Sequence, residues 1–374
     1  MRASASAALA PLRLMALGTV LTACSSSSGT PPSVALSSPA VGTTLGGTVA
    51  VQVTARDDEG IAKVQLYARA PGSEATGVLL GSAAAEPYVI SVNTAVLPSG
   101  NDLELYAVAS DRGGTQGTSD PVRVRVVNAG APELRYLVAY TMPPQPTAST
   151  ASLRSRVAAQ SVRAPAGLRA ASTPVQPTAT EGNAEFLAEW AWNTTGGANG
   201  YRVYLSKGDL AGPYDLVYAQ TPGSAALQKY SGAVTGVKAG DTVHGTVSPL
   251  SGAGLAEGPK SNADAARFLS MQEVASPAEG QSVPGGRPTL TWSALSGAQG
   301  YLYRVYDKHP YDAAAREVWG NGTTVTTAQS AAYPASKAAL PSGTYHWWVA
   351  GVRFGEDGAS EAFSFSEPRT LVVP

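Results

Sequence analysis

The sequence has few of the side chains that carry chemistry: one cysteine, three histidines and 14% charged residues in a chain of 374 residues. A single cysteine has no partner within the chain for a disulfide, so we expect every domain to be stable through packing alone. The 26 Lys and Arg residues nearly balance the 27 Asp and Glu residues. The resulting formal net charge of −1 gives no electrostatic reason to expect a nucleic acid partner.

The scarcity of histidine also bears on catalysis. A hydrolase needs a nucleophile, a base and an orienting group within reach, but His244, His309 and His346 lie in no recognisable sequence setting. A Gly-x-Ser-x-Gly elbow, a phosphate-binding loop and a His-Glu-x-x-His motif are all missing from the sequence. A carboxylate pair for glycoside hydrolysis remains open, because such a pair meets only in the fold. We expect a non-enzymatic protein without a cofactor.

The sequence is instead rich in residues that favour packing and turns. Hydrophobic residues make up 44% of the chain, and there are 40 glycines and 27 prolines. This composition favours many short strands joined by turns over long helices. The chain is longer than one typical core requires, so we expect an all-β protein with two or three domains.

The amino terminus has the organisation of a secretory signal. Two early arginines precede a short apolar run over residues 14–23, which is far too short to span a bilayer, and small residues follow. The order Leu, small polar, Ala, Cys at residues 21–24 resembles the lipobox of bacterial lipoproteins. The resemblance implies cleavage after residue 23 and acylation of Cys24 on its sulfur and its new amino group. Several acyl chains would anchor the protein stably, whereas a single chain anchors it only marginally.

The alternative is ordinary secretion with cleavage after Ala23. Ser25, rather than Asp, follows the cysteine, as is usual in outer-membrane lipoproteins of bacteria with two membranes. Residues 24–33 are mostly Ser, Gly, Thr and Pro, which cannot bury enough apolar surface to offset ordering entropy. We interpret them as a flexible tether.

Residues 34–128 form the first predicted domain. Apolar residues alternate with other residues over 49–53, 103–109 and 122–126, as in half-buried strands. About seven short strands in one unit of this length is the signature of an immunoglobulin-like sandwich. An Ala-x-Asp-x-x-Gly-Ile turn, a Pro-Tyr pair and a later Ala-x-Asp are present at Ala55, Asp57, Gly60, Ile61, Pro87, Tyr88, Ala109 and Asp111. These motifs resemble those of bacterial Ig-like repeats.

Residues 129–164 are predicted to be a linker or an insertion. The alternation over 134–140 suggests an extra strand. Residues 143–163 are rich in Ala, Ser, Thr, Arg and Pro and have little to pack, although a short helix over 152–162 is an alternative.

An internal repeat defines the rest of the chain. Trp192, Ala198, Gly200 and Tyr201 recur 100 residues later as Trp292, Ala298, Gly300 and Tyr301. A tryptophan, a turn and then Gly-Tyr resemble the second and third strands of fibronectin type III domains, with the tryptophan as core anchor. The resemblance implies two such domains, residues 165–269 and 270–374. If each tryptophan anchors its own core, alanine at either position destabilises only that domain.

The same family carries a corner tyrosine before its sixth strand. Tyr345 fits that position in the last domain, whereas the preceding domain has Val243 and no tyrosine. The corner hydrogen bond is therefore in doubt for residues 165–269.

An acidic turn in the first predicted domain is a candidate cation site. The turn formed by Asp57, Asp58 and Glu59, with Asp111 at the same end of the sandwich, offers oxygen ligands of the kind that calcium takes. The favoured interpretation is that these aspartates cap backbone amides, because their spacing matches no recognised calcium loop.

Aromatic residues crowd the last domain, which contains four of the six tryptophans. Neighbouring residues of a strand point to opposite faces, so Trp347 and Trp348 should not both lie in one core, and one should be at least partly exposed. Exposed aromatics stack on sugars or anchor protein interfaces, which makes Tyr306, Trp319, Trp347 and Trp348 candidate ligand or interface residues. The favoured alternative is that the exposed ring packs on a neighbouring domain or strand edge.

These features predict a lipid-anchored envelope protein with three β-sandwich domains in series. We expect the outer membrane or cell surface as its location, and the membrane and an envelope protein or polysaccharide as its partners. A structural, adhesion or protein-interaction role ranks first, polysaccharide binding through the last domain second, and hydrolysis third.

Overall fold

The computed structural model describes residues 29–145, 152–157, 161–166, 168, 184–220, 225–252 and 255–374. The described chain is nearly all β, with single 3-10 turns at Thr94–Val96, Arg154–Arg156 and Pro284–Gly286. The predicted signal segment and Cys24 lie outside the described residues. Of the suggested helix over 152–162, the described residues show 3-10 conformation at Arg154–Arg156 and at Ser161.

The first domain is a sandwich of two sheets. Its strands are β1 Ser33–Ser38, β2 Thr44–Leu45, β3 Thr48–Arg56, β4 Ile61–Arg69, β5 Val78–Ala83, β6 Tyr88–Asn93, β7 Asp102–Asp111, β8 Gln116–Thr118 and β9 Val122–Val126. One sheet has the order β1-β3-β6 and the other β2-β9-β7-β4-β5, with β8 also on β7. The sequence alternation places Val51, Val53 and Ala55 of β3 in the core and their neighbours in solvent. The predicted period of two is therefore confirmed.

The second domain is built from β10 Leu134–Met142, β11 Glu185–Asn193, β12 Ala198–Ser206, β13 Asp215–Gln220, β14 Leu227–Ala233, β15 Thr242–Ser251, β16 Ala256–Glu257 and β17 Asp264–Arg267. Strands β14, β11 and β10 form one sheet, and β13, β12, β15 and β17 the other. This is the two-sheet arrangement expected of a fibronectin type III-like sandwich, with β10 as its first strand.

The third domain repeats that plan. Its strands are β18 Val274–Ser276, β19 Gln281–Ser282, β20 Thr289–Trp292, β21 Gly300–Tyr306, β22 Glu317–Gly320, β23 Ser330–Ala332, β24 Gly343–Phe354, β25 Ser360–Phe365 and β26 Arg369–Val373. Strands β18, β20 and β23 form one sheet. Strands β22, β21 and β24, flanked by β25 and β26, form the opposite one.

Strand β10 joins the second and third domains. It pairs antiparallel with β11, where Ala139 faces Ala188, and parallel with β25, where Ala139 faces Ala362. A nine-stranded sheet therefore runs through both domains. Residues 134–142 lie in the stretch that the sequence predicted as a linker or insertion, but they belong to this sheet. The reason is their nearly unbroken apolar character, which is typical of a strand covered on both faces.

The first domain is also docked on the second. The Ser99 amide donates to the Ser261 carbonyl at 2.9 Å, the Lys260 amide donates to the Ala95 carbonyl at 3.2 Å, and Ala211 of the second domain packs into the core of the first. The three sandwiches thus contact one another through hydrogen bonds and shared cores. Their arrangement differs from independent domains in series, because the second and third domains share one sheet.

Candidate functional site

Trp347 and Trp348 are both fully buried, at 0% exposure. The two rings do point to opposite faces of β24, as the strand geometry requires. Trp347 packs in the core between the sheets, with Tyr345 and Val349. Trp348 packs on the other face, with Phe365 at 5.3 Å between ring centroids. The prediction that one ring is partly exposed is wrong, because both faces of this sheet are covered.

The cover over Trp348 comes from the segment between β10 and β11. Leu153, Val157 and Val162 are buried in the same cluster as Trp348. The Arg156 guanidinium fastens the segment to the third domain, where it donates to the carbonyls of Pro310 at 3.0 Å and Ala315 at 3.2 Å. Leu153 and Val157 are four residues apart in the sequence. That spacing was the signal that this segment has apolar side chains to bury.

The other two aromatic candidates are buried as well. Trp319 is 4% exposed and lies between the rings of Tyr303 and Tyr333, each 5.2 Å away. Tyr306 is 3% exposed, and burial raises the pKa of its hydroxyl to about 12. None of the four aromatic candidates therefore forms an exposed ligand platform. Their role in this fold is packing.

The repeated tryptophans are core anchors, as predicted. Trp192 is 0% and Trp292 4% exposed, and each contacts the tyrosine that follows it in the repeat, Tyr201 or Tyr301. The predicted corner in the last domain is also present, because the Tyr345 hydroxyl donates to the Pro341 carbonyl at 3.0 Å.

Two aspartates of the candidate cation site cap backbone amides. Asp57 Oδ1 accepts the Glu59 amide at 2.9 Å, and Asp111 Oδ1 accepts the Thr115 amide at 2.8 Å. Asp58 is exposed. In the described part of the chain, no group of three or more His, Cys, Asp or Glu side chains could hold a metal ion. The capping interpretation of Asp57 and of one Asp111 oxygen is thus confirmed.

The histidines show no arrangement that activates a nucleophile. Burial lowers the pKa of His244, His309 and His346, which favours the neutral ring. His309 Nδ1 accepts the Tyr311 amide at 3.3 Å, and its ring lies 5.2 Å from the His346 ring. Two of the three rings therefore pack against each other, and one of them supports a turn.

Carboxylates do line a cleft of about 510 Å³ where the second and third domains meet. Burial raises the pKa of Asp264 and of Glu361 there. Both groups nevertheless have structural partners. Asp264 accepts the amides of Leu137 and Ala265 at 2.8 Å, and Glu361 pairs with Arg353 at 3.2 Å. These contacts hold β10 and β25 in place rather than leaving a carboxylate pair free for acid–base chemistry.

An open groove with several apolar side chains lies between the first and second domains. A groove of about 490 Å³ is lined by β5 and by the loop before β13, and includes Leu79, Val96 and Tyr214. Leu79 is 50% and Val96 55% exposed. Leu216 and Tyr218 are also exposed, on the sheet edge formed by β13. The sequence pattern did not reveal this groove, since it arises from the docking of two domains.

Residues 32–117 match the family model of the bacterial Ig domain. The chain is also similar to solved structures. The fibronectin(III)-like modules of Clostridium thermocellum CbhA are 22% identical, with 25% of this chain and 96% of that chain covered and a TM-score of 0.21. The FN1-FN3 domains of chicken CNTN1 are 14% identical, with 92% and 98% covered and a TM-score of 0.31.

A tetra-tandem repeat from the extending region of a large adhesion protein is 14% identical, with 91% and 74% covered and a TM-score of 0.21. No curated protein matches the chain. The description of three sandwich domains rests on the strand pairing given above. In the described ranges, no helix is long and apolar enough to cross a membrane.

Proposed function

We propose that this protein is a lipid-anchored structural or adhesion module of the cell envelope that acts through binding contacts and not through catalysis. The observation that carries the proposal is the strand β10, which makes one sheet of two domains. A chain built from such modules, with shared cores in place of hinges, suits a rigid spacer or scaffold. Bacterial Ig modules are typical of adhesion and structural proteins, and one occupies residues 32–117.

The start of the first domain supports a short connection to the anchor. Gly29 already lies against that domain, because a side chain there would come within 3.3 Å of Thr115 Oγ1. Four residues would then separate Gly29 from an acylated Cys24, or about 14 Å of extended chain. The tether would then be shorter than the ten residues expected from composition. The first domain would therefore stand close to the membrane surface.

Polysaccharide binding through the last domain was the second candidate. It required an exposed row of aromatics, and the burial of Trp319, Trp347 and Trp348 removes that support. Deletion of the last domain from residue 270 onward does not test binding by that domain alone, because it would remove β25 and leave β10 as an edge strand of the second domain, unpaired on one side.

The anchor is tested by Cys24→Ala in the full chain. The variant should leave the membrane fraction and appear in the soluble fraction, because the acylated sulfur is the only proposed anchor. Ser26→Ala is the matched control, since it changes a neighbouring residue without touching the acylation site. Retention of the Cys24→Ala protein in membranes after a salt wash would contradict the proposal.

The adhesion role is tested with the same variants. Cells that lack the protein are complemented with the wild type, with Cys24→Ala or with Ser26→Ala, and attachment to surfaces and detergent sensitivity are measured. Wild type and the serine variant should restore both properties, and the cysteine variant neither. Equal restoration by all three would mean that the protein works without an anchor, for instance as a secreted enzyme.

A further inference from the structure

Asp111 has one carboxylate oxygen without a partner. The residue is 2% exposed and lies at the end of β7. Its Oδ1 accepts the Thr115 amide, but its Oδ2 is buried and accepts no hydrogen bond. A turn cap needs only one of the two oxygens. Capping therefore accounts for Oδ1 but not for Oδ2. The burial of an unpaired Oδ2 costs free energy, since buried polar atoms are nearly always paired.

Other oxygens converge beside this atom. A Cβ on Gly29 would lie 3.6 Å from Asp111 Oδ2, 3.6 Å from Glu59 Oε1 and 3.3 Å from Thr115 Oγ1. A Cβ on Gly113 would lie 2.6 Å from Glu59 Oε2 and 3.4 Å from Asp111 Oδ1. The two carboxylates therefore lie between two glycines, and the missing side chains leave a small space lined by oxygen.

The Arg112 guanidinium packs beside Gly60 but forms no ion pair with either carboxylate in the described part of the chain. Among the described residues, neither Glu59 nor Asp111 forms an ion pair with Lys, Arg or His. Two neighbouring carboxylates without a counter-charge repel each other, and burial of one of them adds to the cost. A bound cation would reduce both the repulsion between the carboxylates and the cost of burying Asp111.

We propose that Asp111, Glu59 and Thr115 Oγ1 hold a calcium ion that clamps the segment at Gly29 onto the first domain. The donors are all oxygen, which disfavours zinc and other metals that prefer nitrogen or sulfur. Calcium takes about six to eight oxygens in flexible geometry, and backbone carbonyls and water complete such a shell. Glu59 is exposed, so one of the proposed ligands faces solvent. The ion would fix the point where the chain enters the folded domain.

The site differs from the one suggested by the sequence. Asp57 caps its own turn by accepting the Glu59 amide, and Asp58 is exposed, so neither belongs to the proposed shell. Thr115 takes their place, whereas Glu59 and Asp111 already belonged to the group that the sequence suggested. The proposal does not depend on acylation of Cys24, and its test is independent of membrane attachment.

The test uses the full chain purified in mild detergent and stripped of metal with EDTA. Calcium chloride is titrated by calorimetry, and thermal unfolding is followed with and without calcium. We expect one site per chain and a Tm that rises by about 3 °C or more at calcium concentrations of about 100 Kd. Magnesium at the same concentration should produce a much smaller shift, because it demands stricter octahedral geometry.

Three variants and a control locate the ion. Asp111→Asn keeps an oxygen for the Thr115 amide but removes the charge, and it should abolish calcium binding. Glu59→Gln should weaken binding at least about 10-fold, as expected when a charged ligand becomes neutral. Gly29→Ala places a methyl group in the space and should weaken binding without touching the cap. Asp58→Asn, in the same turn but outside the shell, should bind as the wild type does.

Two results would overturn the proposal. One is a wild-type protein that shows neither heat of binding nor a calcium-dependent Tm, which would mean that no calcium ion occupies this site. The other is an equal response to calcium in the wild type, Glu59→Gln and Gly29→Ala, which would place the ion elsewhere. The last two variants decide the matter even where Asp111→Asn folds poorly.

Discussion

Replacing Trp192 by alanine should destabilise the third domain as well as the second. Trp192 is fully buried in β11, and β11 pairs with β10 along eight residue pairs. The same core cluster contains Trp192 and the third-domain residues Trp292 and Trp347. The core is therefore continuous through both domains. This differs from the expectation, drawn from the repeat alone, that each tryptophan acts only within its own domain.

The magnitude follows from the size of the lost side chain. Truncation of a fully buried tryptophan costs about 3 to 5 kcal/mol, and the indole nitrogen of Trp192 has no hydrogen-bond partner, so packing accounts for the loss. Small domains have about 5 to 15 kcal/mol of stability in total. Loss of this packing should therefore populate states in which β11 and β10 open. When β10 opens, β25 loses its parallel partner and Phe363 loses the ring of Tyr140, 5.8 Å away.

Hydrogen exchange read by mass spectrometry at low urea concentration resolves the coupling. In Trp192→Ala, amides of β24 and β25 should lose protection together with those of β11 and β12. Trp292→Ala should produce the reciprocal loss in β10 and β11. Gln52→Ala, on the exposed face of β3, is the control and should change neither. Wild-type protection of β24 and β25 in Trp192→Ala would refute the coupling through β10.

Two further predictions concern the contacts around this sheet. Trp348→Ala should cost about 3 to 5 kcal/mol in urea unfolding and speed tryptic cleavage at Arg154, because the ring supports the segment that covers it, whereas an exposed ring would cost less than about 1 kcal/mol. Asp264→Asn should gain stability relative to the wild type as pH rises from about 4 to 8. Burial raises the pKa of Asp264 above its unfolded value, so the wild type has its full stability only below that value and loses it on ionisation. Urea midpoints at the two pH values check this, and a constant difference would contradict it.

The local pattern was enough to predict most of the first domain. Alternation in β3 and the turn residues at Asp57 and Gly60 are properties of short segments, and they determined strand faces and turn positions correctly. The repeat located both core tryptophans for the same reason. Two of the three residues of the proposed calcium shell were also within reach, since Glu59 lies in the acidic turn and Asp111 in a recognised motif. Thr115 was not, because its approach to these carboxylates depends on how the loops meet.

The pairing of β10 with β25 joins residues more than two hundred positions apart, and no local pattern encodes such a contact. The sequence does indicate that a further apolar layer packs on this sheet. From Trp347 to Phe354, β24 has an almost unbroken apolar run, and a strand that meets solvent on one face does not normally have one. The reasoning about Trp347 and Trp348 assigned the two faces correctly but expected one ring to be partly exposed. The favoured alternative, packing of that ring on a neighbouring domain or strand edge, agrees with the burial of Trp348. The length of the apolar run pointed the same way, because it required a second apolar layer somewhere in the chain. The segment containing Leu153, Val157 and Val162 contributes to it, which explains why a stretch so poor in hydrophobic residues nevertheless has apolar side chains at intervals of four and five residues.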